Sequence, residues 1–223
     1  MLTRTIVEKI ARSAGLSEME VQEYAREWER DRAAASVLRR YIEPGTSNLN
    51  IPLPFVPIQS EVLVEDVADL TVQIPSTFKH LLVVGQGRVN GTGGQDAAYV
   101  YAQFNGDTGA NYYEGYIYQE ATVLAAYEET GNTGFSVSYL VADGQPAGYC
   151  GSFFCFIPHY NSGYYKGILT FDGVGTNAGT YNSLYTGGWY NTSPVSSIRT
   201  FPDPAYTSAK LEAGSLFSFY GLA

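Results

Sequence analysis

The sequence contains few of the residues that most often carry chemistry or bind metals. It has two cysteines and two histidines in 223 residues, and no stretch approaches the ~20 consecutive apolar residues of a membrane span. Cys150 and Cys155 are five positions apart, which in a β-strand points them to opposite faces and disfavours a disulfide. We therefore expect two reduced, buried thiols, no cofactor or metal held by them, and no membrane partner.

Positive charge is scarce outside the N-terminal region. Residues 1–43 hold eight Lys/Arg and eight Asp/Glu, whereas residues 44–223 hold five and fourteen and carry the whole net charge of −9. An acidic body repels phosphate backbones, so we expect no nucleic-acid partner. The first residues also lack the apolar core of a signal peptide, so we expect the protein to be made in the compartment where it is assembled.

Residues 3–42 follow helical periodicity. The pattern predicts two helices separated at Gly15, the second opening with a capping box between Ser17 and Glu20. The apolar stripe is too sparse for an independent fold, so we interpret residues 1–43 as an α-helical docking arm. Its predicted docking or oligomer contacts are Ile6, Ile10, Val21, Tyr24, Trp28 and Leu38.

Residues 11–21 also have the spacing of a helix-turn-helix motif. A helix that reads DNA should expose Arg, Lys, Asn or Gln, whereas this one begins Ser17-Glu18-Met19-Glu20. A hairpin that docks on protein is therefore favoured over a transcription regulator.

The chain changes character after residue 43. Residues 44–60 are proline-rich and predict an extended linker or strap. From residue 61 onward, short apolar or alternating segments are separated by turn pairs such as Asn105-Gly106, Gly131-Asn132, Asp143-Gly144 and Gly187-Gly188. About eleven strands without an intervening helix predict that residues 61–223 form a jelly-roll-like antiparallel β-sandwich.

Two motifs have structural explanations that we prefer to functional ones. The stretch LLVVGQGRVNG (81–91) is not a dinucleotide fingerprint, because Asn90 stands where the third glycine belongs. Asn105, Asp107, Asn111 and Glu114 are close enough in sequence to bind calcium, with Asn105 and Asp107 as weak candidates. Side chains of this type also close turns on their own backbone, which is the interpretation we favour.

Candidates for catalysis are few. Neither His80 nor His159 belongs to a recognisable Ser or Cys nucleophile motif. A carboxylate pair for glycoside cleavage could be drawn from Asp96, Asp107, Glu114 and Glu128, but any acidic β-protein offers as many carboxylates. We expect no catalytic residues. Tyrosines are abundant instead, and those on a surface suit subunit interfaces or stacking on sugars. The candidates are Tyr112, Tyr113, Tyr160 and Tyr164.

Five segments in sequence order resemble a class of tailed-bacteriophage virion proteins, usually labelled minor structural, head-fibre or tail-fibre proteins. They are IPSTFKHLLVVGQGR (74–88), QFNGDTGANYY (103–113), FIPHYNSGYYKGILT (156–170), GGWYNTSPVSSIRTF (187–201) and GSLFSFYGL (214–222). The likeness covers residues 70–223, and the N-terminal helices depart from that β-domain. It implies a jelly roll displayed on the particle, commonly as an oligomer, and no catalytic residues.

These features favour a non-enzymatic structural protein of the virion, assembled in the cytoplasm of the bacterial host. We expect a homotrimer that decorates or cements the capsid, with its arm on the major capsid protein or another virion protein. One alternative is a tail- or head-fibre receptor-binding protein that contacts host-surface glycans. Another is a polysaccharide-degrading enzyme, which the thin catalytic inventory disfavours.

Overall fold

The computed structural model describes residues 55–177 and 179–222, where all regular secondary structure is β-strand. The predicted helical arm, its six contact residues and most of the strap lie outside this range. The described part therefore contains no helix that could span a membrane. The strands are β1 (Val56–Val62), β2 (Leu70–Gln73), β3 (His80–Gly87), β4 (Val89–Asn90), β5 (Ala97–Phe104), β6 (Tyr112–Glu120), β7 (Val123–Asn132), β8 (Phe135–Val141), β9 (Gly151–Ile157), β10 (Lys166–Gly175), β11 (Thr180–Trp189), β12 (Ser197–Pro202), β13 (Lys210–Leu211) and β14 (Leu216–Leu222).

The strands form two main sheets with antiparallel neighbours throughout. Eight strands lie in the order β1-β14-β3-β9-β10-β11-β6-β7 and four in the order β2-β12-β5-β8, while β4 and β13 form a short third ladder. The four-stranded sheet packs on one face of the larger sheet, and the core between them buries Phe104, Phe135, Trp189 and Phe217. The prediction of a mainly β, antiparallel fold is thus confirmed for the described residues.

Strand β9 illustrates how the sequence divides its side chains between the two faces. Phe153 and Cys155 point into the core, and Phe154 between them points outward. Both cysteines are free thiols, and burial raises the pKa of Cys155 to about 12. The expectation of two buried thiols is wrong for Cys150, which precedes the strand and is exposed.

The observed strands differ from the prediction at several points. Strand β1 begins at Val56, inside the predicted strap, and pairs with β14; Pro57 is tolerated because β1 is an edge strand. Strand β7 was not predicted at all. Polar and apolar residues hardly alternate along β7, because both faces of this edge strand are largely exposed. The predicted turn at Gly131-Asn132 is the end of β7.

The predicted turn at Gly187-Gly188 is wrong, because both glycines lie within β11. A Cβ atom on Gly187 would collide with the carbonyl oxygen of Tyr113, and one on Gly188 with that of Lys166. The two glycines therefore allow close approach of the flanking strands β6 and β10.

Strand β8 is the edge of the smaller sheet, and carboxylates of the larger sheet satisfy part of that edge. The backbone N–H of Ser136 donates to Glu114 Oε2 at 2.8 Å, and that of Tyr139 donates to Asp172 Oδ2 at 2.6 Å. Burial raises the pKa of both carboxyl groups, that of Asp172 from 3.8 to about 6. The two sheets are thus joined by hydrogen bonds as well as by apolar contact.

We predict that replacing Asp172 with Asn removes a pH-dependent part of the stability. Because its folded pKa is raised, Asp172 contributes stability that is fully present below pH 3.8 and is lost as the pH rises through about 6. Between pH 7 and pH 4 the wild type should gain about 2 kcal/mol of unfolding free energy relative to Asp172→Asn. Denaturant unfolding across this pH range measures the difference.

Comparison with the variant is needed because other groups give the opposite slope: burial acts to raise the pKa of Asp143, but its hydrogen bonds outweigh burial and lower that pKa. Glu128→Gln, which removes an exposed carboxylate on β7, is the matched control. Parallel stability curves for wild type and Asp172→Asn would contradict the prediction.

Candidate functional site

Four loops meet at one end of the sandwich, which we call the loop end. They are residues 74–79, 105–111, 158–165 and 190–196, and they connect β2 to β3, β5 to β6, β9 to β10 and β11 to β12. All the predicted aromatic and ion-binding candidates except Glu114 lie in these loops or in the adjoining first positions of β6. The fold therefore gathers residues that are far apart in sequence, such as Asn105 and Ser196, which share a hydrogen bond across 91 positions.

Asn105 joins two of these loops. It has a left-handed backbone with φ of 55°. Its Oδ1 accepts the backbone N–H groups of Ser196 at 2.7 Å and Ser197 at 3.1 Å, and its Nδ2 donates to the carbonyl oxygen of Pro194 at 2.8 Å. Asn tolerates this conformation better than most residues, so the side chain and the backbone serve the same turn.

Asp107 organises the loop between β5 and β6. Its carboxylate accepts the backbone N–H of Gly109 at 2.9 Å, Nδ2 of Asn111 at 2.9 Å and the indole N–H of Trp189 at 2.7 Å. Burial acts to raise the pKa of Asp107, but these hydrogen bonds outweigh it and hold the pKa below its usual value. Glu114 instead points under β8 to Ser136, so the four predicted oxygen ligands do not converge.

Lys166 holds the loop between β9 and β10 closed. It is only 1% exposed. Its Nζ donates to the carbonyl oxygens of Ser162 at 2.8 Å, of Tyr164, and of Thr192 at 3.4 Å. Burial lowers the pKa of this ammonium group. A buried cation bound to backbone carbonyls therefore fixes the loop that carries Tyr164.

Two of the predicted surface tyrosines belong to the core, and the prediction is wrong for them. Tyr112 faces inward from β6, where its hydroxyl accepts the backbone N–H of Phe104 at 2.8 Å and its ring lies against Trp189. Tyr160 is also buried, and its hydroxyl donates to the carbonyl oxygen of Pro75. Both use the hydroxyl to satisfy backbone groups inside the sandwich.

Of the other two predicted tyrosines, Tyr164 is exposed and Tyr113 is half-buried. Tyr113 stacks on Tyr190 with ring centroids 4.1 Å apart, and Tyr165 meets Tyr190 edge-on at 5.4 Å. We call these three residues the tyrosine cluster. Tyr164, beside them in sequence, is 80% exposed. The cluster offers flat, rigid aromatic faces with polar rims, which suits protein interfaces and sugar rings.

The two histidines are neighbours, although 79 positions separate them in sequence. Their ring centroids are 4.6 Å apart, and the backbone N–H of His159 donates to His80 Nδ1 at 3.2 Å. The pKa of His80 is lowered mainly by partial burial and, to a smaller extent, by the nearby charges of His159 and Lys79. One ring nitrogen of His80 is thus used by the scaffold.

A second concave region lies near the start of β5, away from the loop end, and the sequence did not predict it. Tyr99 and Tyr139 pair across strands with ring centroids 4.0 Å apart, and Tyr181 lies 6.0 Å from Tyr139. This cleft of about 380 Å³ also contains the carboxylates of Asp96, Glu120 and Asp203. Burial raises the pKa of Tyr99 and Tyr139, so both hydroxyls stay protonated and can donate hydrogen bonds.

The carboxylates considered for catalysis lie in different parts of the structure. Asp107 is in the loop end, Glu114 is under β8, Asp96 lines the cleft and Glu128 is on the edge strand β7. In the described residues no group of three or more His, Cys, Asp and Glu side chains is arranged to hold a metal ion.

No protein-family model and no curated protein matches the chain.

We predict that Asp107→Ala destabilises the protein by about 1–3 kcal/mol, because it leaves the indole N–H of Trp189 and the backbone N–H of Gly109 without their acceptor. Thermal unfolding followed by tryptophan fluorescence measures the loss. Asp203→Ala, which removes an exposed turn bond to the N–H of Ala205, is the control and should cost less.

The same measurement separates turn chemistry from ion binding. If the carboxylate serves only the turn, millimolar calcium leaves the melting temperature of the wild type unchanged. A rise in melting temperature with calcium that Asp107→Ala abolishes would refute the turn interpretation.

Proposed function

We propose that the chain is a non-enzymatic structural component of a tailed-phage virion, a homotrimeric capsid decoration protein that docks through residues 1–43. Its partners would be the major capsid protein or other virion proteins. The resemblance of residues 70–223 to phage virion proteins motivates the proposal. The main supporting observation is that its ionisable side chains bind backbone groups of the scaffold, whereas several of its aromatic side chains lie on the surface.

Four buried or half-buried ionisable groups serve the scaffold. Glu114 and Asp172 accept N–H groups of β8, Asp107 accepts those of its own turn, and Lys166 donates to carbonyl oxygens. The exposed surface, in contrast, offers the tyrosine cluster and exposed apolar residues on the eight-stranded sheet, such as Phe154 and Phe171. Side chains used in this way favour a protein that works by presenting a rigid surface.

The strand order supports a jelly roll. In a jelly roll, eight strands form two four-stranded sheets through Greek-key connections, an architecture common among viral capsid proteins. The smaller sheet β2-β12-β5-β8 and the strands β3, β9, β6 and β7 of the larger sheet fit this arrangement. The β10–β11 hairpin is then an insertion between β9 and β6, and β1 and β14 extend the sheet at its other end.

The charge distribution fits display at high local concentration. Residues 44–223 carry the net charge of −9, which keeps neighbouring bodies apart except at specific contacts. The free edge strand β7 carries Glu128 and Glu129, and charged residues on an edge oppose unwanted strand pairing.

A receptor-binding protein of a fibre is the second candidate, and the exposure of Tyr164 and the tyrosine cluster favours it. Rigid exposed tyrosines beside ordered loops stack on the apolar faces of sugars. The position on the particle separates the two candidates. Many copies spread over the shell indicate decoration, and a few copies at the tail or vertices indicate receptor binding.

We predict that deleting residues 1–48 leaves a folded, soluble protein that no longer joins particles. Circular dichroism checks that the deletion variant keeps the β-fold. Co-sedimentation of the variant with particles that were assembled without this protein measures incorporation. The full-length double variant Trp28→Ser with Leu38→Ser, which keeps the chain length, should lose incorporation as well. Retained incorporation of the deletion variant would refute docking through this region.

For the second candidate, we predict that Tyr164→Ala and Tyr113→Ala each weaken glycan binding about tenfold or more, because each removes a stacking face. Glycan-array binding followed by titration of the best ligand measures the change. Tyr149→Ala, an exposed tyrosine outside the loop end, is the control and should bind like the wild type. Equal binding by all three variants would exclude this surface as the glycan site.

A further inference from the structure

The face of the eight-stranded sheet that is turned away from the four-stranded sheet is apolar. We call it the outer face. Cross-strand pairing aligns one outward-pointing residue from each of six neighbouring strands into a continuous row. The row consists of Val84, Phe154, Phe171, Leu184, Ile117 and Ala126. Apolar side chains aligned in this way are typical of a face that is covered by something else.

The outer face is also nearly uncharged. The next row on one side is Leu82, Phe156, Leu169, Thr186, Gly115 and Glu128, and the row on the other side is Gln86, Ser152, Gly173, Asn182, Gln119 and Leu124. In these three rows, which lie entirely within the described residues, Glu128 is the single charged residue. Two copies of an acidic protein can approach here with little electrostatic repulsion.

Half of the outer face forms a ridge. Phe154 and Phe171 are 43% and 41% exposed, and their rings stack with centroids 5.1 Å apart. Val84, which pairs with Phe154, extends the ridge and is 39% exposed. Exposed stacked phenylalanines lack a polar group to favour hydration, so their burial on association is strongly favourable.

The other half forms a groove of about 590 Å³, which is lined by the apolar residues Ile117, Leu184 and Ala126 and also by Glu114, Glu128 and Glu129. Its floor is low because Gly115 has no side chain. A Cβ atom on Gly115 would meet its nearest neighbours, Tyr127 and Thr186, only at 3.7 Å and 4.0 Å. A larger side chain at position 115 would therefore fit without a backbone clash, so packing within the chain does not explain why the groove is empty.

We propose that the outer face is the contact surface between copies of this chain, with the Phe154–Phe171 ridge of one copy seated in the Gly115 groove of a second copy. One strand, β11, lies between the ridge on β10 and the groove on β6. At the usual strand spacing, the ridge and the groove are therefore about 10 Å apart. Convex and concave apolar halves on one face make that face complementary to itself.

The size of the face agrees with a stable contact. Six strands by three rows span about 29 Å by 20 Å, or roughly 600 Å², which approaches the ~800 Å² per partner of a standard interface. A ridge-to-groove contact can be made twice about a two-fold axis, or once per neighbour in a closed ring. The area of roughly 600 Å² applies to the two-fold arrangement; in a closed ring, as in the proposed trimer, each contact between neighbours uses about half of the face.

This inference rests on the part of the proposed function that makes the protein an oligomer, and it adds the surface involved. Sedimentation velocity of the full chain over a concentration series measures association, and thermal unfolding checks the fold. We expect Gly115→Phe, which fills the groove from within its own chain, to weaken association about tenfold or more at an unchanged melting temperature. Gly163→Phe, in an open loop position away from the sheet, is the matched control and should associate like the wild type.

A pair of complementary charges tests the contact itself. Phe171→Glu and Gly115→Lys should each lose self-association, and mixing the two proteins should restore it as a mixed complex, because the new charges attract across the proposed contact. Wild-type association by Gly115→Phe, or two folded charge variants that stay apart when mixed, would overturn the proposed surface.

The outcome for the virion is read separately. A wild-type chain that is monomeric in solution but joins particles would refute the self-contact and leave the decoration role intact. A chain that associates through the outer face but never joins particles would support the self-contact and refute the decoration role.

Discussion

The structure depends on how two sheets of unequal width are joined. The smaller sheet ends at β8, above the interior of the larger one, so the free N–H groups of β8 would otherwise be buried without acceptors. Glu114 and Asp172 rise from the larger sheet to accept them. Leaving such groups unsatisfied costs about 1–3 kcal/mol each, so these carboxylates determine where the small sheet can end. The same mismatch in width leaves the edge strand β7 without cover from the smaller sheet.

Sequence periodicity predicted most of the strands because half-buried strands alternate in polarity, as β9 does. It failed where that cause is absent. Strand β7 is exposed on both faces, so its sequence carries no alternation, and Gly187-Gly188 marks a close approach of strands that has the same sequence signature as a turn. The covalent neighbours Tyr112 and Tyr113 show the remaining problem. One is core and the other surface, and a one-residue choice of register decides which.

The site was predicted less well than the fold, because its residues come together through pairing between distant segments. Asp107 was identified as a turn residue, but its bond to Trp189 joins positions 82 apart. The contact between His80 and His159 and the cleft around Tyr99 and Tyr139 likewise depend on loop packing and strand register. Local sequence signals report turns and alternation, and neither specifies which loops meet at one end of a sandwich.

Charge and surface shape together bear on the proposed contact between copies of this chain. The negative charge of residues 44–223 makes random collisions between copies unproductive. Most of the outer face carries no charge, so the proposed approach through this face meets less repulsion and also buries phenylalanine. Glu128, at the rim of the groove on β7, then adds directionality, since two copies must be placed so that these carboxylates avoid each other. An acidic protein with one largely uncharged apolar face is biased toward association through that face, which is consistent with the proposed display in many copies.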